Sequence, residues 1–228
     1  MLIRVGLETF GEGRSLAWGL DFPGCFANGS DEAEAILRFA GNLLDFERWV
    51  ALHIDEPWFR LADVDFRIVE TYQSSALPGQ CEATSAFFED DLRPLSRQEI
   101  ENALHVFRWQ REELLAGLEF LSVGLPGLET QDWSAAPDAL ERIARTEHAY
   151  LGNLIQGLPP YPEAMDPFEA LQFSRELVER SLPGMAEKTQ VVERNGERWS
   201  SRKLARRLLW QQRVQIDNIK EQLGLKGT

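Results

Sequence analysis

The sequence predicts an α+β protein: a small β-β-β-α-β unit over residues 1–75, a connector over 76–95 and an all-α four-helix bundle over 96–228. Three observations carry this reading. Apolar residues alternate at period two in four short runs near the start, periodicity lapses between Gln73 and Leu95, and four long stretches with helical spacing follow Ser96.

Ile3, Val5 and Leu7 alternate with Arg4, Gly6 and Glu8, and after the turn residues G-E-G-R a second run follows at Leu16, Trp18, Leu20 and Phe22. Alternation puts one set on each face of a strand, so the two runs read as a hairpin. P-G-C-F-A-N-G-S supplies a short third strand between turn signals. Asp31 and Glu34 have the spacing of a capping box, and Ile36, Leu37, Ala40, Leu43, Leu44 and Val50 are read as the apolar face of the helix they open. Val64, Phe66, Ile68 and Tyr72 alternate with Asp65, Arg67, Val69 and Thr71 in a last strand. That order predicts a small sheet with one helix on its face.

The connector is rich in turn formers, although Phe87 and Phe88 are too apolar for a free linker and are expected to dock on the helices that follow. Ser96 and Glu99 open a helix with the stripe Ile100, Leu104, Phe107, Arg111, Leu114, Leu118 and Leu121, ended by Gly124 and Pro126. A second helix follows Pro137, with Leu140, Ile143, Ala144, Glu147, Leu151 and Leu154 inward. Asp166, Pro167 and Glu169 start a third, stopped by Pro183 and Gly184, and Asn195-Gly196 turns a short excursion before the last. On that last helix Leu204, Leu208, Gln211, Gln215, Ile219 and Gln222 share one face. An amide buried without partners costs about 1–3 kcal/mol, so Gln211 and Gln215 call for polar groups across the bundle.

The chain has 228 residues and a formal net charge of -13, with 43% hydrophobic and 27% charged residues, the balance of a soluble globular protein. Residues 1–75 hold 13 Asp and Glu against 6 Arg, and the rest hold 24 against 18, so neither half suits a phosphate backbone and nucleic acid is excluded as a partner. Arg198, Arg202, Lys203, Arg206 and Arg207 form a local basic cluster, expected to be a solvated helix face. No apolar run approaches the roughly 20 residues of a membrane span, and the start M-L-I-R-V-G-L-E lacks the pattern of a signal peptide; the expectation is a cytoplasmic protein with no membrane partner. Cys25 and Cys81 make no C-x-x-C pair and read as buried or incidental thiols, and His53, His105 and His148 as ordinary surface or interface histidines. Trp49, Trp58, Trp109 and Trp133 are candidates for domain or dimer contacts, with core packing the plainer explanation.

Over about residues 1–72, the stretch L-D-F-P-G-C-F-A-N-G-S-D-E-A-E-A resembles the signature of HicB-like domains, carried by Asp21, Pro23, Gly24, Cys25, Gly29 and Ser30. The resemblance implies a degenerate double-stranded-RNA-binding-type fold and a protein-binding surface. RNA binding is not carried over, because this half has no lysine and a net negative charge.

Arg111, Glu147 and Arg175 are charged residues on stripes that should face the core. A buried charge persists only if paired, and Arg111 with Glu147 is the natural pair, helped by Gln211 and Gln215. Such a group is read either as an internal polar cluster that fixes helix register or as a binding site.

The segment G-E-R-W-S-S-R-K-L-A-R-R-L-L-W-Q-Q-R-V-Q-I, with A-F-F-E-D-D, P-L-S-R-Q-E-I and I-A-R-T-E-H-A-Y-L, resembles the DinB-like superfamily over about residues 84–224. The resemblance implies a four-helix bundle, often dimeric, that in some members holds zinc or nickel for thiol transfer. One ligand is a histidine on the second helix, and two more lie four residues apart on the fourth. Here Gln211 and Gln215 align with that pair and Arg142 with the second-helix histidine. Amides are poor ligands for these ions and a guanidinium repels them, so neither metal nor other cofactor is expected.

The candidate ligand-binding residues are therefore Arg111, Arg142, Glu147, Gln211 and Gln215, with Arg142 either standing in for the ion between the glutamines and Glu147 or holding an anion such as a carboxylate. The first functional reading is a non-catalytic module that binds a small anionic ligand or a protein partner, with a homodimer in view. The alternative is a divergent transferase acting on a small anionic or thiol substrate. Interaction with RNA or a toxin through the first unit rests on fold analogy. No Ser-His-Asp grouping, P-loop or Gly-rich nucleotide fingerprint points to another enzyme class.

Overall fold

The computed structural model describes residues 2–11, 13–61, 65–74, 85–122 and 135–222. The chain is mixed α+β, with strands β1 (Leu2–Phe10), β2 (Ser15–Gly19), β3 (Phe26–Gly29) and β4 (Asp65–Ser74), and helix α1 (Glu32–His53) between β3 and β4. Helices α2 (Arg97–Ser122), α3 (Ala135–Leu154) and α4 (Pro167–Ser181) follow, then a hairpin of β5 (Val191–Arg194) and β6 (Glu197–Ser200), and last α5 (Ser201–Gln222). Expectations placed on Val64, Cys81, Gly124, Pro126 and Trp133, and on the side chains of Leu121, Ile219 and Gln222, lie outside the described residues.

The first sheet has the order β3-β2-β1-β4. β2 runs antiparallel to β1 and β3, and β4 parallel to β1 with a bulge, since Val5 faces Ile68 while Gly6 faces Glu70. The helix starts follow the capping residues. The Asp31 carboxylate accepts from the Glu34 amide while Glu34 accepts from the Ser30 amide, Ser96 and Glu99 cap each other reciprocally, and Asp166 accepts from the amides of Phe168 and Glu169. α3 begins two residues before Pro137, which fits in a first turn because no intrahelical partner awaits its missing N–H. Asn195 (φ 53°) and Gly196 (φ 76°) turn the β5–β6 hairpin.

α1 packs a face that shares Leu43 and Val50 with the expected one but is turned toward the phenylalanines. Ala35, Phe39, Leu43, Phe46 and Val50 are buried, whereas Leu37 is 76% exposed. The three-to-four spacing through the two phenylalanines buries more apolar area than the Leu37–Leu44 stripe could.

Both faces of the sheet are covered. Ile3, Val5, Leu7 and Ala17 share a core with α1. Residues 85–91 lie across the other face, where Asp90 pairs with Arg4, Phe88 sits on Gly6 and Glu8 accepts from the Ala86 amide at 2.8 Å. A Cβ on Gly6 would stand 2.7–2.9 Å from the Phe88 ring, so only glycine fits there. From residue 85 onward, the stretch read as a connector is thus a packed layer between sheet and helices. Phe87 docks on β6 and the start of α5, with Arg198 and Lys203 over its ring at 4.3 and 5.8 Å, while Phe88 lies between Gly6 of the sheet and Arg206 of α5.

One apolar cluster runs from Ile3 and Phe46 through Ile100 and Tyr150 to Leu209, so sheet and helices have a continuous core. A second joins the four later helices through Leu114, Leu118, Ala139, Leu140, Ile143, Leu171 and Ile216. α5 is the axis of the molecule, because every residue from Ser201 to Gln212 is buried. Among the described residues, no helix is long and apolar enough to cross a membrane.

Candidate functional site

Two of the expected pairs form in the helical part. The Arg111 Nη2 donates to both Glu147 carboxylate oxygens at 2.7 and 2.8 Å, with the side chains 1% and 0% exposed. Ser174, not Arg175, completes this cluster, its hydroxyl 2.7 Å from Glu147. α4 buries positions 170, 171, 174, 177 and 178, which leaves Arg175 one step off that face and paired with Glu179. Burial raises the Glu147 pKa above the ordinary carboxyl value, against the pull of Arg111 and Ser174. Arg111 lies over the Phe107 ring at 5.2 Å, and its Nε and Nη1 have no hydrogen-bond partner among the described residues.

Arg142 is exposed and donates to Gln215 Oε1 from Nη2 at 3.0 Å and from Nε at 3.3 Å. Gln211 is buried, but among the described residues no hydrogen bond joins it to Arg142. The five candidates therefore make two separate pairs with Gln211 apart from both. Arg142 also lines an open hollow of about 460 Å³ on α3, beside Arg145, Asp138 and Glu141. Arg145 pairs with Glu141, so this hollow offers no net positive site for an anion.

The basic cluster at the start of α5 is not a solvated face. Arg202, Lys203, Arg206 and Arg207 are 3%, 0%, 3% and 8% exposed; of the five, Arg198 alone is exposed. Each buried member meets a partner from another element. Arg202 bonds Glu99 at 2.7 Å, Lys203 bonds Glu197 at 2.7 Å and the Ser85 carbonyl at 3.0 Å, Arg206 bonds Asp91 at 2.6 Å, and Arg207 bonds the Tyr150 hydroxyl at 3.0 Å. Arg206 also lies over Trp18 and Phe88, each at 4.8 Å. On the sheet side the buried Glu8 accepts from the Trp18 indole at 2.9 Å. Desolvation lowers the Lys203 pKa to about 8, with Glu197 opposing and Arg206 and Arg207 adding to the fall.

Further along α5, sheet and helices leave a cleft of about 410 Å³. The turn Gly24–Phe26 and Asn28 of β3 line it with Asn42, Asp45 and Trp49 of α1, Gln110 of α2, and Arg213 and Asp217 of α5. Gly24 (φ +100°) brings this turn against Val106 and Leu209. Near the same seam Trp109 of α2 meets Trp49 and His53 of α1, Trp58 of the segment after α1, and His105 of its own helix at 4.8–5.8 Å. None of the three described cavities is lined by Arg111, Glu147, Gln211 or Gln215.

Among the described residues, no group of three or more His, Cys, Asp or Glu side chains is placed to hold a metal ion. The amide and guanidinium groups at the positions implied for metal ligands do not fit zinc or nickel. His148 reaches the Pro159 carbonyl at 2.7 Å instead. No known protein family, curated protein or solved structure matches the chain.

Sequence reasoning missed Ser174, the buried Glu8 and the cleft. The signal for the buried basic row was present: A-F-F-E-D-D supplies carboxylates beside phenylalanines, a pattern suited to charge pairing under cover. The cleft joins residues up to 193 positions apart, Gly24 to Asp217, and no local pattern announces it.

Proposed function

We propose that this chain is a DinB-like helical bundle without a metal centre, joined to a HicB-like sheet unit, and that it is a non-catalytic module binding a small ligand at the seam between the two. The Arg142–Gln215 hydrogen bond carries the reading: where the resemblance puts metal ligands, a cation from the chain itself meets an amide. The buried Arg111–Glu147–Ser174 group supports it as a structural cluster, since no described cavity reaches that pair. The transferase alternative would need such a cavity.

The test is the melting temperature with zinc, nickel or manganese against a chelator, for the wild type and for an Arg142→His, Gln211→His, Gln215→His variant. Two histidines four residues apart close on an ion from one helix face. The wild type is expected not to respond and the triple variant to gain stability, by about 2.7 kcal/mol at a metal concentration 100 times its Kd. A rise in the wild type would overturn the reading.

A further inference from the structure

The two serines at the start of α5 do different things. Ser200, the last residue of β6, caps the helix, its hydroxyl accepting from the Lys203 amide at 3.2 Å. Ser201 is 5% exposed, and its hydroxyl has no hydrogen-bond partner among the described residues although it is not sealed from solvent. A hydroxyl so placed takes its hydrogen bond from whatever fills the space in front of it. That space is a cavity of about 460 Å³ between the end of α3, the segment after α4 and the first turn of α5, within the size range of small-molecule sites. Leu154 and Ile155, packed on the main core, and Met185, 5% exposed, give it an apolar floor. Lys188 lines it too, exposed and without an ion pair among the described residues. The β5–β6 register brings these groups together. Val191 faces Ser200, so Gln190 stands across from Ser201, and Lys188 lies two residues on, within about 7 Å of Gln190. Of the three described cavities, this one alone has no carboxylate among its described lining residues, although the chain holds 37 Asp and Glu against 24 Lys and Arg.

We propose that this cavity binds a small organic monocarboxylate, its carboxylate held by the Lys188 ammonium, the Ser201 hydroxyl and the N-terminal end of α5, and its apolar body lying on Leu154, Ile155 and Met185. One free cation matches one negative charge, and the end of a 22-residue helix adds partial positive charge. The apolar floor favours a hydrocarbon body over a bare ion. The cavity is separate from the seam, so the proposal goes beyond the reading above and does not rest on it.

Calorimetric titration of the full chain at low salt tests it, with hexanoate as probe, hexanamide as its neutral counterpart and inorganic phosphate as the anion without an apolar body. The variants are Lys188→Gln, Ser201→Ala and Arg60→Gln, the last removing an exposed cation from the segment after α1. Lys188 is exposed and Ser201→Ala leaves the Ser200 cap in place, so both variants should melt as the wild type does. Saturable one-to-one hexanoate binding is expected, weakened about tenfold by Lys188→Gln and by Ser201→Ala, and unchanged by Arg60→Gln, with no binding of hexanamide. Equal affinity for hexanoate and hexanamide, or equal weakening by Arg60→Gln, would overturn recognition of a carboxylate at this place. Phosphate binding that Lys188→Gln abolishes, with no hexanoate binding, would overturn the monocarboxylate class. Hexanoate binding that neither cavity change weakens, or absence of binding by all three probes, would overturn the site.

Discussion

Gly6 shows how far a single position depends on the packing around it. Its neighbours in β1 alternate as any half-exposed strand would, yet its missing side chain is the space that the buried Phe88 ring fills. Gly6→Ala is expected to lower stability by about 1–3 kcal/mol, because the ring must move within a filled layer. Urea unfolding of Gly6→Ala beside Gly6→Ala/Phe88→Leu measures it, and recovery in the double variant is the expected outcome. Arg111 and Glu147 make the opposite case, a pair legible in the sequence as two charges on inward stripes. Arg111→Met alone should cost about 3–5 kcal/mol by leaving a buried carboxylate unpaired, whereas Arg111→Met with Glu147→Leu should return to within about 1 kcal/mol of the wild type. A double-mutant cycle in urea reads both. Ser174 is hidden in the sequence because a serine on a helix carries no sign of what it will face, whereas Arg175 beside it is a charge on an inward stripe.

Among the elements, α5 was legible as a helix and as the centre of the fold, but its environment was not. Helical periodicity marks one apolar stripe, and burial on all sides is invisible when the remaining positions carry Arg and Lys. What buries them is a segment more than a hundred residues earlier, as in the Lys203–Ser85 and Arg206–Asp91 contacts. The α1 face is legible in part, at Leu43 and Val50, because two overlapping apolar faces are available and the sheet selects the one that carries Phe39 and Phe46. Lys203 gives α5 a pH signature. Its folded pKa of about 8 lies below the ordinary 10.5, so the unfolded chain binds the extra proton between these values. The stabilising contribution is therefore present above 10.5 and lost as pH falls through about 8, each tenfold difference in proton affinity between the folded and unfolded chain being worth about 1.4 kcal/mol. The stability difference between wild type and Lys203→Met should move in favour of the wild type from pH 7 to pH 10.5. A pH-independent difference would place the ammonium in contact with water.

For the whole molecule, the succession of strands and helices along the chain and the α+β class follow from period and caps, because these are local properties, whereas the sheet order β3-β2-β1-β4 does not. Nor does the join. The sequence reads as a sheet unit, a connector and a helical bundle; how residues 85–95 and α5 cover the second face of the sheet, and how the apolar cluster passes through the seam, is set by contacts between distant residues. The cleft exists only in that joined state, since Asp45 and Asp217 come from its two sides. Differential scanning calorimetry of the intact chain tests this most directly. One transition whose calorimetric and van't Hoff enthalpies agree is the predicted result. Two separable transitions, or a van't Hoff enthalpy well below the calorimetric one, would mean that sheet and helices unfold independently and that the seam is a loose contact.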